Sequence, residues 1–275
     1  MITFPNCKIN IGLHITGRFD DGYHSIETCM FPLPLNDVLE IVPAATNETR
    51  VFLSGSAEAI PAVKNIVYKA WNLLHDQYSI PNTDIYLHKV IPSGAGLGGG
   101  SADGTFALSM LNSMFGLRLT NEQLETEATK LGMDCPFFVA NNPAIAMGKG
   151  EILKPVKMDL SGYYLVLVKP SVNVSTAEAY AGVIPKKPEK SIAELIKLPM
   201  EEWKNVIVND FERTVFAKYP KIEIIKAEMY SKGAIYAQMS GSGSAVFGLF
   251  NAKPELNGIF DDCFVFETLL GCFSK

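Results

Sequence analysis

Residues 92–104 read PSGAGLGGGSADG, and five glycines (Gly94, Gly96, Gly98, Gly99 and Gly100) crowd its centre. Glycine has no Cβ, so its backbone reaches positive φ angles and lets an anion approach the amides. Phe106, Ala107, Met110, Leu111 and Met114 follow at helical spacing, which predicts a helix starting near Ser101. A glycine loop that empties into a helix N-terminus presents unpaired N–H groups and a partial positive charge, so phosphate is the expected guest. Three other readings compete for these residues. A P-loop needs a Lys-Ser/Thr pair after its last glycine, and here Ser101-Ala102 follows Gly100. Gly94, Gly96 and Gly99 match GxGxxG literally, but that pattern should follow a buried apolar strand and be answered by an acidic residue ending a second strand. Residues 84–90 instead alternate polar and apolar, and residues 120–131 read as a helix. A flexible linker does not run into an amphipathic helix. The phosphate loop therefore ranks first, the linker second and the dinucleotide fold third.

Other chemistry-bearing residues sit on the elements around this loop. Residues 7–15 alternate as a strand, with Cys7, Ile9, Ile11, Leu13 and Ile15 on one face and Lys8, Asn10, Gly12 and His14 on the other. Lys8 and Asn10 could reach one ligand from that face; alternation alone favours a face that meets water. Asp20-Asp21-Gly22 predicts a turn, with Tyr23 and His24 opening the next strand, where the pair could stack on and hydrogen-bond a heterocycle or serve as two amphipathic side chains. Asp134, just ahead of Pro136, predicts a helix N-cap. Ser240-Gly241-Ser242-Gly243-Ser244 lies between predicted strands at 234–239 and 245–250. It reads either as a hairpin turn or as a second backbone surface that closes on the same phosphates.

The elements that must position these groups are legible in outline. Helices are predicted at 65–77, at 120–131 with a Thr120–Gln123 capping box and a stop at Gly132, at 209–217 and at 220–231. Ser175–Glu178 predicts another capping box, opening a short helix that carries Tyr180. Strands are predicted at 163–169 and 263–267, and residues 184–191 (IPKKPEKS) read as an exposed connection. At 275 residues there is ample length for one large domain or two modest ones, with a softer boundary near 148–155. A net charge of −5 argues against a nonspecific nucleic-acid surface. Cys7, Cys29, Cys135, Cys263 and Cys272 are an odd, scattered set without CxxC, which predicts reduced thiols and neither a disulfide framework nor a zinc site. No positively charged leader precedes an apolar run, and no apolar run reaches membrane-spanning length. The expectation is a cytoplasmic protein.

Lys8-Ile9-Asn10, PSGAGLGGGSADG and SGSGSA together resemble the three motifs of the GHMP small-molecule kinases, in the expected order and over nearly the whole chain. Within that superfamily, ITGRFDDGYHSIET, LGMDCPFFV and Asn65-Ile66-Val67 are similar to the branch acting on 4-diphosphocytidyl-2-C-methyl-D-erythritol, in the non-mevalonate route to isoprenoid precursors. The resemblance implies an α+β fold of two domains. Residues 1–155 would be like domain 2 of ribosomal protein S5 and residues 156–275 ferredoxin-like, with the active site in the cleft between them. It implies ATP with Mg²⁺ as phosphoryl donor, and an acceptor that is a cytidyl diphosphate sugar alcohol. No nucleic-acid or membrane partner is expected, and the chain would be a monomer or weak homodimer.

The same resemblance assigns roles. Asp134 would orient the acceptor hydroxyl and take its proton, and Lys8 would keep Asp134 ionised and stabilise the transferring phosphate. Pro92, Ser93, Gly94, Ala95, Gly96, Leu97, Gly98, Gly99, Gly100, Ser101 and Ala102 would hold the ATP phosphates, with Ser240, Gly241, Ser242 and Gly243 closing on them. Asn65 and Lys89 would lie near the adenosine. Tyr23 and Tyr180 would stack on cytosine, His24 would hydrogen-bond the base, and Asn10 and Thr176 would contact the sugar-phosphate part. Ala95 stands where many members have glycine, Asp103 where some have Asn, and Tyr180 where some have Phe. No acidic residue is assigned to magnesium; Ser101 is the one candidate. The alternatives are a homoserine- or mevalonate-type kinase, against which the DGYH segment and Tyr180 argue, and a non-catalytic nucleotide-binding protein on the same fold.

Overall fold

The computed structural model describes residues 1–56 and 61–271; Cys272 lies outside them. In chain order the elements are β1 (Ile2–Thr3), β2 (Asn6–Arg18), β3 (His24–Asn36), β4 (Val38–Pro43), β5 (Arg50–Gly55), α1 (Ile66–Tyr78), β6 (Thr83–Lys89), α2 (Gly99–Met114), α3 (Asn121–Leu131) and α4 (Phe137–Ala140). There follow β7 (Ala144–Gly148), β8 (Ile152–Pro155), β9 (Tyr164–Lys169), α5 (Thr176–Tyr180), α6 (Ile192–Leu195), α7 (Met200–Val206), α8 (Glu212–Lys218), α9 (Pro220–Ser231), β10 (Tyr236–Met239), β11 (Val246–Phe250) and β12 (Phe264–Leu269). The chain divides into two compact units. One comprises residues 1–8, 32–93 and 98–142; the other comprises 9–31, 94–97 and 143–275.

In the first unit the sheet has the order β1-β4-β6-β5, antiparallel except for the parallel β5–β6 pair. Leu39 and Ile41 of β4 and Ile85 and Leu87 of β6 alternate onto one face, where Val67, Ala70 and Leu74 of α1 and Ala107, Leu108 and Leu111 of α2 cover them. Each buried Val, Leu or Ile among them contributes about 1.5–3 kcal/mol over leaving it in water. α1 begins where Asn65 Oδ1 accepts from Val67 N at 3.0 Å. α3 begins at Thr120 with the complete capping box expected from its spacing.

In the second unit β10-β11-β9-β12 form an antiparallel sheet with Val246 opposite Val168 and Val265 opposite the same residue on the other side. Val166, Val168 and Val246 pack with Val215 of α8 and Ile222, Ile225 and Met229 of α9. A third sheet has the order β2-β3-β7-β8.

Three local expectations are corrected. The helix expected at 209–217 begins at Glu212, because Asn209 Oδ1 takes the Phe211 amide and holds residues 209–211 in a turn. Ser175 caps α5 by accepting from Glu178 N, but the reciprocal half of the box is absent: the Glu178 carboxylate pairs with Lys218 and Tyr219 instead. The face of β2 that alternation assigned to water is buried at Lys8, Asn10 and His14. Cys7, Cys29, Cys135 and Cys263 are free thiols. Among the described residues, no helix is long and apolar enough to cross a membrane.

Candidate active site

In the first unit the site is built on the start of β2 and on the turn between α3 and α4. Lys8 is 3% exposed, and its ammonium lies 3.2 Å from Asp134 Oδ2, whose side chain is 34% exposed. Asp134 does not cap α4. That helix has Pro136 at its N-cap position and no side-chain cap, so the carboxylate is left for Lys8. Gly98, at φ +69°, is the N-cap of α2 and likewise brings no capping side chain. The first amides of a helix have no acceptor inside it, so those of Gly99, Gly100 and Ser101 are suited to an anion. A Cβ on Gly98 would lie 3.0 Å from Lys8 Cε and 3.1 Å from the Phe138 ring, so a larger residue would crowd both side chains.

Behind this loop Lys89, at the end of β6, is buried between two carboxylates. Its ammonium bonds Asp37 and, at 2.6 Å, Asp103 Oδ2. Asp37 Oδ1 also accepts from the amides of Val90 (2.5 Å) and Ile91 (2.9 Å). The cluster ties the chain entering the glycine loop to the second turn of α2. Burial pushes the Asp103 carboxyl up to about 7 against the pull of Lys89, and the Asp37 charge pushes the same way. Asp103 Oδ1 has no partner among the described residues. Asn65 is committed to capping α1, and Lys89 to this cluster, whose partners lie 52 and 14 positions away and were not legible in the sequence. Pro92 and Ser93 lie in the turn that leads from β6 to the loop, and Ala102 is buried in the first turns of α2.

In the second unit, residues 94–97 of the same loop meet residues 240–245. Ser240 Oγ donates to Gly96 O at 2.9 Å, and Ala245 N donates to Ala95 O at 3.1 Å. Gly96 has φ +74°, and a Cβ there would lie 2.0 Å from the Ser240 carbonyl oxygen, so no other residue fits. Ala95 has no positive φ, which removes the reason for glycine at that position. Asn10 N donates to Ser240 Oγ at 3.1 Å, and Asn10 Nδ2 to Thr28 Oγ1 at 3.1 Å. Asn209 Nδ2 donates to both Met239 O and Gly241 O at 2.8 Å, anchoring the loop that carries Ser242 and Gly243. Asn209 went unrecognised in the sequence because its partners are 30 and 32 residues away.

The predicted aromatic set is also in this unit. The His24 and Tyr180 rings stack at 4.6 Å and 14°, and Tyr180 meets Phe211 edge-on at 4.8 Å. Burial, then Arg18, lowers the His24 pKa, so its ring is the neutral, stacking form at pH 7. Tyr23 is exposed, with the Lys149 ammonium 4.2 Å over its ring, and Lys149 also pairs with Asp21 at 2.5 Å. Lys149 was not singled out from the sequence. Thr176 is the first residue of α5.

The profile of the GHMP kinases N terminal domain matches residues 65–142, and that of the GHMP kinases C terminal domain matches residues 185–261. The 4-diphosphocytidyl-2-C-methyl-D-erythritol kinase of Bacteroides fragilis is 51% identical over 273 residues, covering 98% of this chain and 100% of that protein. The enzyme of the same name from Parabacteroides distasonis is 50% identical, covering 97% of this chain and 98% of that protein. A crystal structure of 4-(cytidine 5'-diphospho)-2C-methyl-D-erythritol kinase superposes with a TM-score of 0.77 at 30% identity, over 90% of each chain. The Methanococcus jannaschii mevalonate kinase shares the fold alone, at a TM-score of 0.70 and 14% identity over 97% of each chain. The chain therefore has the α+β two-domain fold of the GHMP kinases and belongs to their 4-diphosphocytidyl-2-C-methyl-D-erythritol kinase family.

Proposed function

We propose that the protein transfers the γ-phosphoryl group of ATP to a hydroxyl of 4-diphosphocytidyl-2-C-methyl-D-erythritol. The observation that carries the mechanism is the Lys8–Asp134 pair, a buried ammonium against a partly exposed carboxylate. Asp134 Oδ2 takes the proton of the acceptor hydroxyl as its oxygen bonds to phosphorus, and the bond from phosphorus to the ADP oxygen breaks. A positioned base of this kind contributes about 10²–10⁴-fold. Lys8 fixes the carboxylate through their ion pair and faces the charge that builds on the transferring group. Most of the remaining barrier reduction in phosphoryl transfer comes from positioning, which here falls to backbone amides.

The residues present fit a triphosphate: residues 94–101 offer amides, their one bulky side chain, Leu97, is buried, and close backbone approach at Gly96 leaves no room for another. Ser240, Gly241, Ser242 and Gly243 close on the same phosphates. Mg²⁺ would arrive on the phosphate oxygens, with the Ser101 hydroxyl as the protein group to meet it, and would neutralise charge there. Among the described residues no group of three or more acidic, His or Cys side chains is placed to hold a metal by itself. Asn65 and Lys89 border the adenosine through backbone more than side chain, given their hydrogen bonds elsewhere. Tyr23, His24 and Tyr180 receive the cytosine, with Asn10 and Thr176 at the sugar-phosphate part. The His24–Tyr180 stack opens for the base or adds it to one end. The protein works in the cytoplasm as a monomer or weak homodimer.

The test is a coupled ADP-release assay with Mg-ATP and the cytidyl acceptor, beside homoserine, mevalonate and no acceptor. ADP release with the cytidyl acceptor alone is expected. Preference for another alcohol would overturn the assignment of Tyr23 and His24, and silence with every acceptor would overturn the kinase reading.

A further inference from the structure

The turn that leaves β9 carries a lysine that the roles above do not use. Lys169, the last residue of β9, is buried, and its ammonium donates to Asn173 Oδ1 at 2.8 Å. Among the described residues no carboxylate lies within ion-pair distance of it, in contrast to Lys8 and Lys89. A neutral amide oxygen replaces only part of the hydration that an ammonium loses on burial. Burial accordingly lowers its pKa from the ordinary lysine value, with the Cys263 thiol pulling weakly the other way.

The same turn touches both glycine segments of the second unit. Asn173 Oδ1, the atom that holds the ammonium, lies 3.5 Å from the point a Cβ of Gly94 would occupy. The Val172 carbonyl accepts a hydrogen bond from Ser244 Oγ. Those two segments are in turn joined through Ser240–Gly96 and Ala245–Ala95. Three stretches thus converge, 94–97, 172–173 and 240–245. The first and third are neutral in sequence. Lys169 brings a positive charge to this convergence through its hydrogen bond to Asn173.

We propose that Lys169, held in place by Asn173, is a phosphate-binding cation of this site, pairing with a phosphate oxygen of a bound nucleotide. The inference rests on the kinase reading, which supplies two sources of such an oxygen: the triphosphate of ATP and the diphosphate of the cytidyl acceptor. Charge-assisted bonds of lysine to phosphate are worth enough to change binding about tenfold or more.

The experiment uses the full chain as wild type, Lys169→Met, Lys169→Arg and Asn173→Ala. ATP and ADP binding is read by calorimetry without acceptor, and KM for ATP and for the cytidyl acceptor by ADP release. The expected result is that Lys169→Met weakens one ligand about tenfold or more while the other stays within about twofold, and that Lys169→Arg restores most of the loss. A rise confined to ATP and ADP assigns the lysine to the triphosphate; a rise confined to the acceptor KM assigns it to the diphosphate. Both constants within about twofold of wild type in Lys169→Met would overturn the proposal, as would equal weakening of both ligands with a lowered melting temperature. If Lys169→Met does not fold, Asn173→Ala decides: a selective rise in one ligand's constant supports the proposal, and no rise, or an equal rise in both, refutes it. Because calorimetry needs no turnover, a wild type that binds ATP without releasing ADP fails the kinase reading while leaving the Lys169 result readable.

Discussion

Replacing Asp103 with Asn should change how the stability of the protein depends on pH. The carboxyl is 2% exposed, shares the Lys89 ammonium with Asp37, and leaves Oδ1 without a partner among the described residues. One ammonium between two buried carboxylates does not compensate both, and burial is the largest reason that the Asp103 carboxyl rises to about 7. An unfolded aspartate titrates near 3.9, so between these values the folded protein holds a proton that the unfolded chain has released. The stabilising contribution of that proton is complete below about pH 4 and is lost as pH rises through about 7. Each pKa unit is worth about 1.4 kcal/mol, so the part lost between pH 5 and pH 8 is on the order of 2–3 kcal/mol. Asn has nearly the same shape and no charge to bury. Urea unfolding of wild type and Asp103→Asn at pH 5, 6, 7 and 8 reads the difference directly, because groups common to both cancel. The variant should gain on the wild type by that amount across the series, with most of the change complete by pH 7. Parallel curves would refute the claim that this buried cluster carries an excess negative charge. The consequence reaches the site, since the same cluster holds Val90 and Ile91, which lead into the glycine loop.

Other variants test separate links. Asp134→Asn should keep ATP affinity in calorimetry and lose about 10²–10⁴-fold in kcat; unchanged turnover would remove Asp134 from the proton transfer. Gly98→Ala must place an L-residue at φ +69° with its Cβ near 3 Å from Lys8 and Phe138, so a loss of about 1–2 kcal/mol in urea unfolding and a raised KM for ATP are expected. Thr120→Ala removes half of the α3 capping box and should cost about 1 kcal/mol in urea unfolding with kcat unchanged. Lys149→Met frees Tyr23 and Asp21, and steady-state kinetics should show a raised KM for the cytidyl acceptor with KM for ATP unmoved.

The elements that rest on neighbours a few residues away were legible in the chain. α1 and α3 start and stop within a residue or so of expectation because Asn65 and Thr120 accept from amides two and three positions on, and Gln123 from the amide three positions back. α9 matches because Pro220 sets its first turn and periodic apolar residues continue it. The helix after the glycine loop was expected near Ser101 and starts at Gly99, with Gly98 in the left-handed conformation as its cap. Where a distant partner competes for the same side chain, local reading failed. Glu178 leaves its own N-cap for Lys218 and Tyr219, forty and forty-one residues away, and Asn209 leaves its expected helix for the carbonyls of 239 and 241.

The site divides along the same line. Residue types and spacing alone determined that an amide-rich loop precedes a helix, that Lys8 and Asn10 share a strand face, and that Asp134 stands beside Pro136, because these are properties of backbone geometry within a few residues. Tertiary structure decided what those groups meet. It buried the polar face of β2, set Lys8 at 3.2 Å from a carboxylate 126 positions later, and enclosed Lys89 between Asp37 and Asp103. It also brought Asn173, which holds the Lys169 ammonium, beside Gly94. Charge pairing and desolvation depend on which distant atoms replace water around a group, and no local pattern encodes that replacement.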